Sequence, residues 1–220
     1  MSATLAAVPD AAHLAAFGVA AITVALIPGP GILYVLARSL GGGRNEGFRS
    51  SVGTGIGGLV HVVAAAAGLS ALIATSATAF SIVKYLGAAY LVWLGAKTLL
   101  ARDREPPVQA LDRAPARSTD ALRQGVLTEV LNPKTGLFFL TFLPQFCQPE
   151  RGPLAMQVLV LGAASVALNT AVDFVIAAAA GGLSERLRRR PSMWRRQQVA
   201  TGTLLVGLGV YAAAAGHRTK

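Results

Sequence analysis

Three groups of residues in this chain stand where chemistry would use them and packing alone would not. Pro28-Gly29-Pro30-Gly31 interrupts an apolar stretch that runs from Leu14 to Ala37. Asn132-Pro133-Lys134 interrupts a second, and Asp173 lies inside a third together with Asn169. Each Pro removes a backbone donor and clashes with the turn before it, and the residue before each Pro is pushed out of the α region. A helix that restarts after such a break presents free N–H groups and the positive end of its dipole. That is a ready site for a carboxylate. Gly31, Ile32 and Leu33 are the expected donors after Pro30; Thr135, Gly136 and Leu137 are their counterparts after Lys134. Taken singly, either break reads equally as a proline kink that only shapes packing.

Charges inside apolar spans are costly and face a bundle interior or a wet cavity. Lys134 would attract a carboxylate or pair with an acid. Asp173 would hold a substrate ammonium, pair with Lys134 or carry a coupling proton. The plainer reading of Lys134 is a re-entrant or interfacial position where the ammonium reaches water, and that of Asp173 is a static structural pair. Asn132 and Asn169 can supply oriented polar contacts. Glu129 lies near the start of its segment, where a solvated position is expected. His61, among Val and Ala, reads as a packed, hydrogen-bonded side chain, with proton coupling as the alternative because imidazole titrates near neutrality.

Other chemistries lack their residues. No His-Glu-x-x-His, Gly-x-Ser-x-Gly or P-loop string occurs, which argues against an intramembrane hydrolase or an ATP-driven pump. His13, His61 and His217 are too scattered for a metal cluster, and the single cysteine, Cys147, cannot form an internal disulfide. The chain is expected to be no enzyme and to need no cofactor.

The elements that position these residues are set by composition. The 220 residues are 53% hydrophobic and 14% charged, against about 25% charged in a soluble domain. Apolar runs of roughly twenty residues recur, so the expected fold is an all-α integral membrane protein in a lipid bilayer. The spacing predicts six transmembrane helices, over 13–38, 48–74, 78–100, 122–147, 153–182 and 198–215, with the first and fourth broken. The domain reading is one transporter unit: a first half over 13–100, a cytoplasmic linker over 101–121 rich in Pro, Arg and Asp, and a second half over 122–215. The first segment outruns a signal-peptide core and ends in the Pro-Gly break, so it is read as a first spanning helix. A break at that depth must face protein or a water-filled cavity.

Net charge is +10. No aromatic-and-basic nucleic-acid module is visible, and no nucleic-acid partner is expected. Fifteen of the twenty basic residues follow the first, third and fifth predicted helices. Basic loops face the cytoplasm, which predicts both termini outside it. Three helices per half is an odd number, so two similar halves would be inverted. Gly87…Leu94-Gly95 and Gly202…Leu208-Gly209 match across the halves, as do the two breaks. Paired interruptions in inverted halves point to a transporter's binding site near the midplane. Gly53 and Gly57 permit close helix approach; packing within the chain is the simpler use, and a homodimer face the other.

These strings, in order, resemble the LysE/RhtB family of amino-acid exporters. The resemblance rests on Pro28-Gly29-Pro30, on Gly53…Gly57 with Leu59-Val60-His61, and on Gly87-Ala88-Ala89-Tyr90-Leu91 with Leu94-Gly95. It continues through Leu122-Arg123-Gln124-Gly125, Leu131-Asn132-Pro133-Lys134, Leu137-Phe138-Phe139 and Phe142-Leu143-Pro144-Gln145-Phe146, and covers about 14 to 210. It implies a bacterial inner-membrane secondary transporter that exports amino acids or related zwitterions, driven by a proton or other ion gradient. An exporter of a cation or another small metabolite is the rival. Three positions depart from the family's usual pattern: Gly31 and Glu129, where Asn is frequent, and Gly58, where Asp is frequent. The substrate-binding set predicted is Pro28, Gly29, Pro30, Gly31, Asn132, Pro133, Lys134 and Asp173.

Overall fold

The computed structural model describes residues 9–75, 77–101, 120–189 and 191–214, and every described element is helical. Helix α1 covers Ala11–Leu26. It begins at Asp10, whose carboxylate accepts the His13 N–H at 2.9 Å, an N-cap that satisfies one of the first turn's free donors. It stops because Pro28 cannot continue it. Helix α2, Pro30–Gly42, starts with Pro at its first position, where the missing N–H costs nothing. The α1–α2 pair is bent by 48°.

Gly43 alone links α2 to α3, Arg44–Thr75. Its φ of 81° and ψ of 176° belong to a region that is essentially reserved for glycine. Helix α4 covers Ala77–Leu100 and α5 Ala121–Val130. Helix α6, Pro133–Leu137, runs into a π-helical turn over Phe138–Phe142, then a 3₁₀ turn over Leu143–Phe146 and another over Pro149–Arg151. Helix α7 covers Leu154–Arg189 and α8 Pro191–Ala214.

Among the described residues two stretches are long and apolar enough to cross a bilayer, Arg44–Gly68 and Leu154–Ala180, and the bent α1–α2 pair qualifies as a third. Tyr85–Leu100 and Gln198–Tyr211 are shorter apolar stretches. The fourth predicted helix, 122–147, is broken at Asn132-Pro133 as expected and changes winding again beyond it. It divides into α5, α6 and the π and 3₁₀ turns, because Pro133 and Pro144 each forbid a continuous ladder. The last predicted helix starts earlier than 198, so Arg195 and Arg196 lie on α8 rather than in a loop. The predicted linker, apart from its ends, lies outside the described residues, as do both termini.

Helix α3 is the axis of the bundle. It packs against α2, α5 and α7, while α4 packs along α8. Small residues make these approaches possible. A Cβ on Gly57 would lie 2.7 Å from both Glu129 Cβ and the Val126 carbonyl oxygen, so the Gly53/Gly57 spacing serves contact between α3 and α5 within the chain. Along α4 and α8, a Cβ on Gly95 would meet the Gly202 carbonyl oxygen at 2.7 Å, and one on Gly202 would meet that of Gly95 at 2.8 Å.

The main apolar core gathers Phe17 of α1, Val62 of α3, Leu161 of α7 and the rings of Phe138, Phe139, Phe142 and Phe146. Phe142 and Phe146 meet edge to face at 5.0 Å, and Phe17 meets Phe146 at 5.6 Å. At the same end, the Asp10 N–H donates to Gln148 Oε1 at 2.8 Å and Gln148 Nε2 donates to Asp10 Oδ2 at 2.7 Å. The fully buried Gln157 accepts the Gln148 N–H and donates to the Gln148 carbonyl. These bonds fix the start of α1 to the turn before α7.

Candidate functional site

The site is built on the α1–α2 break. Ile27 closes α1, its N–H donating to the Val24 carbonyl at 3.2 Å. The Leu33 N–H already donates to the Gly29 carbonyl at 3.0 Å, so of the three donors expected after Pro30, Gly31 and Ile32 remain at the free end of α2. The two helix ends therefore face the break with opposite character, carbonyls from α1 and N–H groups from α2.

A side chain from the second break meets the first. Lys134 Nζ donates to the Ile27 carbonyl at 2.9 Å and lies 3.4 Å from that of Val24. An ammonium at a helix C-terminus meets the negative end of the dipole. Gly29 is what lets it in, because a Cβ there would lie 3.1 Å from Lys134 Nζ.

The second break holds itself together. Asn132 caps α6, its Oδ1 accepting the Lys134 N–H at 3.1 Å. Its Nδ2 donates to Glu129 Oε2 at 3.1 Å, and Thr135 Oγ1 donates to Glu129 Oε1 at 2.6 Å. The restart after Lys134 thus differs from its counterpart: it is five residues long and carries its own side-chain cap.

Glu129 is not solvated. It is 4% exposed and lies at the centre of the site. Helix α5 is only ten residues long, so a residue near its end is turned inward where the chain breaks at Asn132. The Glu129 carboxylate lies beside the first turn of α2, with Oε2 2.6 Å from where a Cβ on Gly31 would be. His61 Nε2 is 2.9 Å from the Glu129 carbonyl oxygen, the packed role expected of that histidine.

Asp173 is 1% exposed. Thr54 Oγ1 donates to its Oδ2 at 2.9 Å, whereas Oδ1 has no hydrogen-bond partner among the described residues. A buried carboxylate oxygen without a partner is costly. Among the described residues none of Glu129, Lys134 and Asp173 forms an ion pair with another.

Two cavities adjoin this cluster. The inner one, about 40 Å³, is lined by Gly31, Thr54, Glu129, Thr135, Ser165 and Asn169 among others, with an apolar wall that includes Ala21, Ala25, Val166, Phe138 and Phe139. That volume suits a few waters and no amino acid. The outer one, about 240 Å³, lies between the break and the α4–α8 pair, against Pro28, Pro30, Pro133, Tyr90, Thr98 and Thr201. Gly29, Asn132 and Lys134 line both.

Of the predicted set, Gly29, Gly31, Asn132 and Lys134 come together at the inner cavity, and Pro28, Pro30 and Pro133 back the outer one. Asp173 stands behind Thr54 rather than in the cavity wall. Thr54 is the residue the sequence reading passes over, while it takes Glu129 as solvated and Thr135 for its backbone N–H alone. Their signal was a polar side chain at a three-residue spacing from another: Glu129 to Asn132, Thr54 to Ser51 and Thr135 to Asn132.

Comparison with known proteins agrees with the arrangement. Residues 22–216 match the LysE type translocator family. The chain is 34% identical to an uncharacterized membrane protein of Vibrio cholerae over 91% of its length and 96% of the relative's. It is 31% identical to the Bacillus subtilis membrane protein YrhP over 90% of its length and 96% of that protein. A leucine efflux protein of Enterobacter is 39% identical over 58% of this chain and 60% of that one. No solved structure matches. A broken first span, a second break at Asn132-Pro133-Lys134 and a family match across nearly the whole chain lead to one conclusion: the protein belongs to the LysE type translocators, membrane transporters rather than enzymes.

Proposed function

We propose that this protein exports amino acids or closely related zwitterions across the bacterial inner membrane, coupled to an ion gradient, with the proton as the coupling ion. The observation that carries the reading is the polarised break. Carbonyls at the end of α1 suit an ammonium, N–H groups at the start of α2 suit a carboxylate, and both ends border a cavity inside the bundle. The inner cavity is too small for an amino acid as it stands, so an aliphatic side chain would meet Ala21, Ala25, Val166 and the two Phe residues only once alternating access opens it, in keeping with relatives that are leucine efflux proteins.

The transport cycle proposed is alternating access by two inverted three-helix halves. Its support is that counterpart elements pack together: α3 on α7, α4 on α8, and the two breaks through Lys134. Helices α4 and α8 are 24 residues each, about 36 Å at 1.5 Å per residue and long enough to span. The basic ends of these helices are assigned to the cytoplasm and both termini to the outside. Asp173, with one free carboxylate oxygen, is the residue assigned to the coupling proton or the substrate ammonium.

The test is efflux of individual amino acids from loaded cells, with and without the protein, repeated with Asp173→Asn. Export of leucine or a similar aliphatic amino acid is expected, and its loss in the variant. If no amino acid leaves faster, the substrate class is wrong. Export of a cation is the second reading. It is favoured by one observation, the Glu129 carboxylate seated where a substrate carboxylate would bind, and it predicts efflux of an amine or metal cation in the same assay with no amino acid moved.

A further inference from the structure

The two cavities differ about sixfold in volume, roughly 40 and 240 Å³, and share a wall of three residues, Gly29, Asn132 and Lys134. Asn132 is held by its cap and by Glu129, and Gly29 has no side chain. The movable part of that wall is Lys134. Its ammonium carries three donors, and among the described residues it contacts two acceptors, the Ile27 and Val24 carbonyls, the second at a long 3.4 Å.

The outer cavity has the makings of a station for a solute. At about 240 Å³ it falls just below the roughly 300 Å³ at which drug-sized sites begin. Its walls combine Leu33, Leu94 and Leu205 with Tyr90, Gln198 and Thr201. Thr98 and Gln198 are chain neighbours of Lys97 and of the Arg195-Arg196 pair, which places this cavity at the basic end of the bundle.

We propose that the outer cavity is an entry station for a carboxylate-bearing solute, and that Lys134 is the barrier between it and the inner cavity. A carboxylate in the outer cavity would take up the third ammonium donor and draw Lys134 off the α1 carbonyls, opening the shared wall. An amine of the same shape gives Lys134 nothing to follow. The proposal rests on the export reading for its direction, but the barrier can be measured without transport.

The experiment uses single cysteines in a Cys147→Ser background. Thr201→Cys reports on the outer cavity and Ser165→Cys on the inner one. Inside-out vesicles are treated with a small charged methanethiosulfonate reagent. With Lys134 present, Thr201→Cys is expected to react about tenfold or more faster than Ser165→Cys; adding Lys134→Met is expected to raise the Ser165→Cys rate by about tenfold and leave Thr201→Cys unchanged. If Lys134→Met does not reach the membrane, Lys134→Gln serves instead, since it also removes the ammonium and shortens the side chain. Equal rates at the two positions with Lys134 in place, or an inner rate indifferent to these variants, overturns the barrier. L-leucine is expected to slow modification of Thr201→Cys, and isopentylamine, which lacks the carboxylate, is not. Equal protection by the amine overturns the carboxylate assignment. Failure of the efflux screen with these accessibility results intact would discredit the exported substrate and leave the barrier standing.

Discussion

Glu129 Oε2 lies 2.6 Å from the point where a Cβ on Gly31 would be. Two departures from the family's usual sequence are therefore one feature: the missing side chain at Gly31 makes room for the Glu129 carboxylate beside the first turn of α2. Gly31→Asn alone overfills the site and is expected to cost about 1–3 kcal/mol. Glu129→Asn alone strands the Thr135 hydroxyl and the Asn132 amide. The double variant restores fit, with a coupling energy of about 0.5–3 kcal/mol. Thermal unfolding of the four forms in detergent measures it, and strictly additive values would show that the two positions do not communicate.

Asp173 is buried with one oxygen unpaired, an arrangement that serves function better than stability. Asp173→Asn is expected to fold at least as well as the parent while efflux falls by about tenfold or more, equivalent to about 1.4 kcal/mol. Thr54→Val removes the remaining donor to Asp173 and is expected to destabilise by about 1–3 kcal/mol. Unfolding curves and efflux rates on the same preparations separate the two effects. Normal transport by Asp173→Asn would end the role given to that residue.

Gly43 joins α2 to α3 with a φ of 81°, and across this link Arg38 donates to Glu46 at 2.6 Å. Gly43→Ala forces a Cβ into a region that costs about 1–3 kcal/mol. A lowered melting temperature is expected, with substrate selectivity unchanged because the turn lies away from both cavities. A stable Gly43→Ala protein would refute the strained link.

Asp10 sets a pH dependence at the start of α1. The His13 backbone N–H, then the His13 ring and Gln148, hold its carboxyl well below the usual carboxylate range. A lowered folded value means that its contribution is complete above the unfolded value near 4 and fades as pH falls through it toward the folded one. The tie between Asp10 and Gln148 is thus expected to be constant from about pH 5 upward and to weaken only below about pH 4. Hydrogen exchange at the His13 amide follows it, and Asp10→Asn should abolish the acid dependence. Weakening already near pH 6 would show that Asp10 is not the group responsible.

The breaks were legible because proline acts locally. Pro28, Pro30 and Pro133 end their helices whatever surrounds them, and the apolar runs of α3 and α7 announce themselves by length. What lay hidden depends on where the chain goes after a break. Glu129 reads as solvated if its helix continues straight, but α5 ends one residue later, at Val130, and turns the carboxylate inward. Lys134 reads as the partner of an acid, since a sequence shows charges and not unsatisfied carbonyls; its acceptors are the backbone ends of α1, more than a hundred residues away. The π turn after α6 was equally invisible, because Phe138 to Phe142 is an ordinary apolar run, whereas the 3₁₀ turn that follows is marked by Pro144.

Those turns have a mechanical consequence. An α-helix advances 3.6 residues per turn and a 3₁₀ helix 3.0, a difference of about 20° of rotation per residue. Leu143–Phe146 is overwound relative to an α-helix, and the π turn just before it is underwound. Relaxation of the 3₁₀ turn to α winding would swing Phe146 by about 60–80° relative to Phe142. The edge-to-face stack of those rings, and the contact of Phe146 with Phe17, would part together. This segment can work as a screw, turning a wall of aromatic rings.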